Sequence, residues 1–94
     1  MPYEQHASRV RKLAQTKGVR IKFGDHALVE MGKDSINAIS VLSMLKRCSS
    51  SGFDLINFQE RIRATGRDNN DNKITAVVVI DEDSITIFVV TAWR

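Results

Sequence analysis

Ninety-four residues, 43% of them apolar and 27% charged, build one packed core, leave no room for a second, and do not have the composition of a disordered chain. The formal net charge of +3 is modest but unevenly spread: residues 1–24 carry Arg9, Arg11, Lys12, Lys17, Arg20 and Lys22 against Glu4 alone, whereas Asp68, Asp71, Asp81, Glu82 and Asp83 fall in two late turns. Cys48 is the only cysteine, which excludes an internal disulfide, and the longest apolar run, Ala76 to Ile80, is far too short for a membrane helix.

The start, MPYEQHASRVRK, has no apolar stretch of the signal-peptide kind, so a reducing cytoplasm is the expected compartment and no membrane is expected as a partner. Residues from about Glu4 to Lys17 read as a helix with Ala7, Val10, Leu13 and Ala14 on one narrow stripe and basic residues elsewhere. Such a stripe buries little area, so residues 1–17 are expected to form a peripheral basic helix. Gly18 is a plausible stop. Val19-Arg20-Ile21-Lys22-Phe23 alternates apolar and basic, the pattern of a short strand with Arg20 and Lys22 on its outer face.

Asp25 suits the cap of a short helix, HALVEM, halting at Gly32, and Asp34 or Ser35 the cap of another that runs to about Arg47. Ile36, Val41, Met44, Leu45 and Cys48 supply its buried stripe, which makes Cys48 a core residue rather than a nucleophile. Cys48 to Gly52, with three serines in a row, reads as a loop. From Ile56 the period becomes two: Ile56, Phe58, Ile62 and Ala64 share one face, and Asn57, Gln59, Arg61, Arg63 and Thr65 the other. Glu60 falls on the apolar side, which suggests a bulge. Lys73–Ile80 and Ser84–Trp93 are strands apolar on both faces at their middles, joined through acidic turns. The expected fold is one α+β domain over 1–94: a curved antiparallel sheet of about four strands, three of them a C-terminal meander, packed against N-terminal helices.

For chemistry, His6 and His26 lack metal-ligand spacing, Cys48 has no partner ligand, and Asp68-Asn69-Asn70-Asp71 lacks the glycine and terminal glutamate of a calcium loop. No metal or other cofactor is expected. What remains is a set of histidine, arginine and threonine. Metal-free RNA cleavage needs a proton carrier, for which histidine is suited near neutrality, and cations or donors to hold the phosphorane charge. Arg61 and Arg63, about 7 Å apart along one strand face, make a phosphate clamp. Thr91, Trp93 and Arg94 add a hydroxyl, a stacking surface and a cation, and Arg20 and Lys22 add two more cations. Each has a plainer reading: His26 as a local cap, the arginines as solvated surface, Trp93 as packing.

Four stretches carry a resemblance: His26-Ala27-Leu28-Val29-Glu30-Met31, Ile36-Asn37-Ala38-Ile39-Ser40-Val41, Arg61-Ile62-Arg63-Ala64-Thr65-Gly66 and Val89-Val90-Thr91-Ala92-Trp93. In this order, over residues 25–93, they resemble the bacterial family called domain of unknown function 4258, whose members show His-Ala-x-x-Arg-Met, Ile-Ser-x-x-Asp-Val, Arg-x-Arg-x-x-Gly and Val-Val-Thr-x-Trp. The resemblance implies the fold of the barnase/RelE-like metal-independent ribonucleases, many of them toxins. It also implies an active face lined by His26, Arg61 and Thr91, and a cognate antitoxin or immunity protein as partner. The chain departs from it where Glu30 and Asp34 stand in place of family arginines.

Three functions fit these residues. The first is a small toxin-like endoribonuclease in which His26, Arg61 and Thr91 act on RNA, with Arg63, Arg94, Trp93, Arg20 and Lys22 binding it. The second is a non-catalytic RNA- or ribosome-binding module. The third is a protein-interaction module pairing through a sheet edge.

Overall fold

A computed structural model describes residues 3–94. Helix α1 spans Glu4–Ala14, with Glu4 in its first turn and Arg11 and Lys12 in its last, charges that complement the helix dipole. It ends three residues before the expected stop because the chain tightens through Thr16, whose carbonyl accepts from the Val19 N–H, and then passes Gly18 at φ 85. No atom would crowd a Cβ there; the glycine is needed for its left-handed backbone alone.

Strand β1 (Arg20–Phe23), helix α2 (Asp25–Lys33) and helix α3 (Ala38–Leu45) follow. α2 runs one residue past Gly32. α3 starts later than expected, because Asn37 rather than Asp34 or Ser35 is its cap, accepting from the Ser40 N–H at 2.8 Å. The buried set of Ile36, Val41, Met44, Leu45 and Cys48 is as the spacing requires. Ile36 precedes the helix and Cys48 follows it.

Four strands complete the chain: β2 (Ser49–Ile56), β3 (Gln59–Arg67), β4 (Lys73–Asp81) and β5 (Thr86–Trp93). They form an antiparallel meander, to whose far edge β1 adds in parallel, giving one five-stranded mixed sheet in the order β1-β5-β4-β3-β2. The α+β class stands, but the expected four antiparallel strands are corrected twice. The serine run is no loop: it is the first half of edge strand β2, where backbone pairing to β3, around a bulge at Ser51, stands in for an apolar signal. The strand expected to start at Ile56 is cut after its first residue by a two-residue turn, with Asn57 at φ 51 and Phe58 at φ 64. Two positive φ values in succession match the right-handed twist of the strands that they join. The turn leaves Phe58 99% exposed at the hairpin tip.

One face of the sheet is the core side. Ile62, Ala64, Ile74, Ala76, Val78, Ile87, Val89 and Ala92 are buried there with α1 and α3. α1 is not peripheral. Ala7, Val10, Leu13 and Ala14 are all buried, and the ring of His6 stacks on Phe53 at 4.2 Å. The stripe is narrow, but α1 lies flush over the sheet near its β2 edge, so all of it is used. Glu60 causes no bulge; it faces the helix layer at the rim, where Arg9 of α1 reaches both it (3.4 Å) and Glu82 (2.9 Å).

Candidate nucleic-acid interface

The strand register decides what lies on the other face. Ile62 and Ala64 point into the core, so Arg61 and Arg63 project from the opposite side, where neither α1 nor α3 packs. Arg63 pairs with Val77, and Val77 pairs with Thr91. Arg63 and Thr91 therefore stand in one row, two strand spacings or about 10 Å apart, with the short Val77 side chain between them. One row along, Lys22 is level with Phe88 and Phe88 with Val79. In the other direction Thr65 and Thr75 pair, their hydroxyls 3.2 Å apart, and Trp93 is level with Thr75.

The placement of Thr91 and Trp93 depends on a bulge. Strict alternation from Ile87 and Val89, both buried, would turn Thr91 and Trp93 into the core. The register slips between Val77 and Val78, leaving Val90 unpaired. Thereafter Ala92 is buried while Thr91 and Trp93 are half-exposed, on the same face as Phe88. A bulge of this kind re-aims side chains. It is the local device that brings Thr91 beside the arginines.

Six cations belong by register to this face, which α1 and α3 leave uncovered while α2 packs against β5: Arg20, Lys22, Arg61, Arg63, Arg67 and Lys73. Against them stand Asp54, paired with Arg61, and Asp81, paired with Thr86. The Asp81 carboxylate is turned into its own hairpin, accepting from the backbone of Asp83 and Ser84, and hydrogen bonds from Ser84 hold it below its ordinary pKa. Arg63 makes no side-chain hydrogen bond within the described residues, and Arg61 makes only one, at 3.4 Å, to Gln59. Phe88, Thr65, Thr75, Arg67 and Lys73 were not singled out from the sequence. Phe88 alternates with Thr86, a pattern that marks the face only once Ile87 and Val89 are known to be the buried side of the strand.

Two other candidates are placed differently. Arg94 turns toward the α2–α3 connection, donating from its guanidinium to the Ser35 carbonyl and from its backbone N–H to Asp34. Asp34, in a position where the resemblance has an arginine, thus anchors the end of β5. His26 is exposed in the first turn of α2, two residues after Gly24, whose N–H donates to the Val89 carbonyl. It stands at the start of the helix that packs against β5 and makes no side-chain hydrogen bond within the described residues.

Cys48 is buried, and burial pushes its thiol up to about 11, so it is no nucleophile at neutral pH. Among the described residues no group of three or more His, Cys, Asp or Glu side chains is placed to hold a metal ion, and no helix is long and apolar enough to cross a membrane. No family model matches the chain, and neither a curated protein nor a solved structure matches it significantly.

Proposed function

We propose that the chain is a small RNA-directed protein of the metal-independent ribonuclease type, holding the RNA backbone on the sheet face that α1 and α3 leave uncovered. The observation that supports this most is the concentration of six cations by register on one sheet face, where Asp54 and Asp81 are the carboxylates in register and Arg67 is bridged to Asp71, with Arg63 and Thr91 flanking Val77 in a single row. A phosphate above Val77 accepts from the Arg63 guanidinium and from the Thr91 hydroxyl. Arg61 holds the neighbouring phosphate.

Cleavage then needs only proton traffic. The 2′-oxygen attacks phosphorus and the bond to the 5′-oxygen breaks. One proton leaves the 2′-hydroxyl and one reaches the leaving oxygen, giving a 2′,3′-cyclic phosphate and a 5′-hydroxyl with no water consumed. His26, at the start of the helix that packs against β5, carries one of these protons and solvent the other. The test sets wild type beside His26→Ala and Arg63→Ala on a labelled RNA. Cleavage lost in His26→Ala with binding retained supports the enzyme. Cleavage by neither wild type nor variant, with salt-dependent binding by both, leaves a binding module, a reading favoured by a His26 side chain that no described residue hydrogen-bonds.

A protein partner is a further reading, favoured by the outer edge of β1. Arg20 and Gly24 send their N–H groups to the carbonyls of Ile85, just before β5, and Val89 within it, so in a parallel ladder Ile21 and Phe23 present theirs outward. Beside them lies a groove of about 210 Å³ lined by Val19, Ile21, Phe23, Ala38, Ile39 and Leu42. An antitoxin strand pairing there binds with little dependence on salt, unlike RNA.

A further inference from the structure

Phe88 sits in the middle of β5 on the uncovered face and is 39% exposed. Burial within its own sheet gives it no reason to be there: its strand neighbours Ile87 and Val89 are completely buried on the other side. The ring does not stand off the sheet. Its Cζ and Cε1 atoms lie 3.2 and 3.6 Å from the point where a Cβ on Gly24 would be. The outer half of the ring is therefore laid over the Gly24 backbone at the end of β1. A Cβ at residue 24 would crowd the ring tip, which would have to give by a few tenths of an ångström. The tip of the ring meets Gly24, and the side chain, 39% exposed, stands beside Lys22 in register.

We infer that Phe88 is a stacking platform for an unpaired base, and hence that the RNA taken by this face is single-stranded. The inference rests on the proposed RNA reading and narrows it. A duplex keeps its bases inside and offers only backbone and groove to a sheet, whereas a single strand offers the flat face of each base to an exposed aromatic ring. The charges agree with this arrangement. Lys22 flanks the ring on one side, and the Arg63–Val77–Thr91 row lies toward the end of β5, where the backbone of a strand stacked on Phe88 has to pass. Gly24 touches the ring and His26 is two residues further on, so a nucleotide stacked at Phe88 lies beside the candidate proton carrier.

The test is fluorescence anisotropy with a labelled oligoadenylate of about ten nucleotides, a length within one sheet-type site, alongside the same strand in a blunt RNA duplex. Phe88→Leu should weaken binding of the single strand by roughly five- to a hundredfold, the loss of one stacked base. Its salt slope should stay unchanged, because no phosphate contact is removed. Phe88→Trp should restore binding, and Arg63→Ala should lower the salt slope by about one. Thermal melts of each variant separate stacking from folding: an unfolded Phe88→Leu with a folded, wild-type-like Phe88→Trp still leaves Gly24→Ala, which crowds the ring tip and should weaken the single strand likewise. Wild-type affinity in folded Phe88→Leu, or equal losses for single strand and duplex, overturns the platform while the RNA reading stands on Arg63. Failure of the wild type to bind either RNA overturns both.

Discussion

Ile62 and Arg63 are neighbours in β3 that the fold sends to opposite faces, and paired substitutions test that assignment. Ile62 is completely buried. Ile62→Ala removes three carbons from the core, and a large-to-small change of this kind costs about 2–5 kcal/mol. For a domain of this size each kcal/mol shifts the midpoint by roughly 4–8 °C. A loss of about 3 kcal/mol thus lowers Tm by roughly 12–24 °C. Arg63 is exposed and its side chain has no partner within the described residues, so Arg63→Ala should change stability by no more than about 0.5 kcal/mol. Thermal melts followed by circular dichroism, read beside anisotropy on an RNA oligonucleotide, give both halves. Ile62→Ala should lose stability, and Arg63→Ala should lose RNA affinity without losing stability. Equal destabilisation by the two would refute the face assignment on which the interface rests.

Deleting residues 1–17 should leave a chain that does not fold, since four fully or nearly fully buried side chains of α1 go with it; a cooperative melt from the truncated chain would contradict this. Cys48 should resist iodoacetamide at pH 8 in the native state and react readily in urea. Its folded pKa of about 11 lies above the unfolded value of about 8.5. The buried neutral thiol therefore contributes stability that is complete below pH 8.5 and lost as pH rises toward 11. Asp68 is held below its ordinary pKa, chiefly by the Asn72 backbone N–H and also by that of Asn70. Its contribution is present above the unfolded value of about 3.9 and disappears as pH falls through the depressed folded one. Asp68→Asn should accordingly flatten the acid limb of a urea-midpoint against pH plot, and an unchanged limb would show that the carboxylate plays no such part.

Much of this was legible where burial drives the pattern. Ile62 and Ala64 alternate with Arg61 and Arg63 because one side of β3 meets helices and the other meets water. The α1 stripe was equally clear, although its depth was not, because a narrow stripe does not say how closely its helix approaches the sheet. Signals failed where backbone geometry decides. Ser49–Gly52 has no apolar alternation to announce a strand, since an edge strand is held by its ladder. Asn57-Phe58 hides a turn behind the apparent alternation of Ile56, Phe58 and Ile62: the turn pairs Ile56 with Gln59 and so puts Ile56 on the Arg61 face rather than with Ile62, and phenylalanine seldom adopts positive φ. The parallel pairing of β1 with β5 joins segments more than sixty residues apart. The candidate site was half legible: Arg61, Arg63, Arg20 and Lys22 followed from alternation, whereas Thr91 and Trp93 share their face only through the bulge at Val90, and Phe88 lies there only because its strand neighbours Ile87 and Val89 face the core.

The most direct measurement of the central claim is methyl NMR of valine-labelled protein titrated with a single-stranded RNA oligonucleotide. Val77 and Val79 line the face that α1 and α3 leave uncovered, while Val10, Val41 and Val78 are completely buried in the core. The interface described here predicts that the methyl signals of Val77 and Val79 shift progressively with RNA and return as salt is raised, with those of the three core valines unmoved. Shifts confined to the core valines, or no shift in any methyl group at RNA concentrations that saturate a basic protein surface, would contradict it.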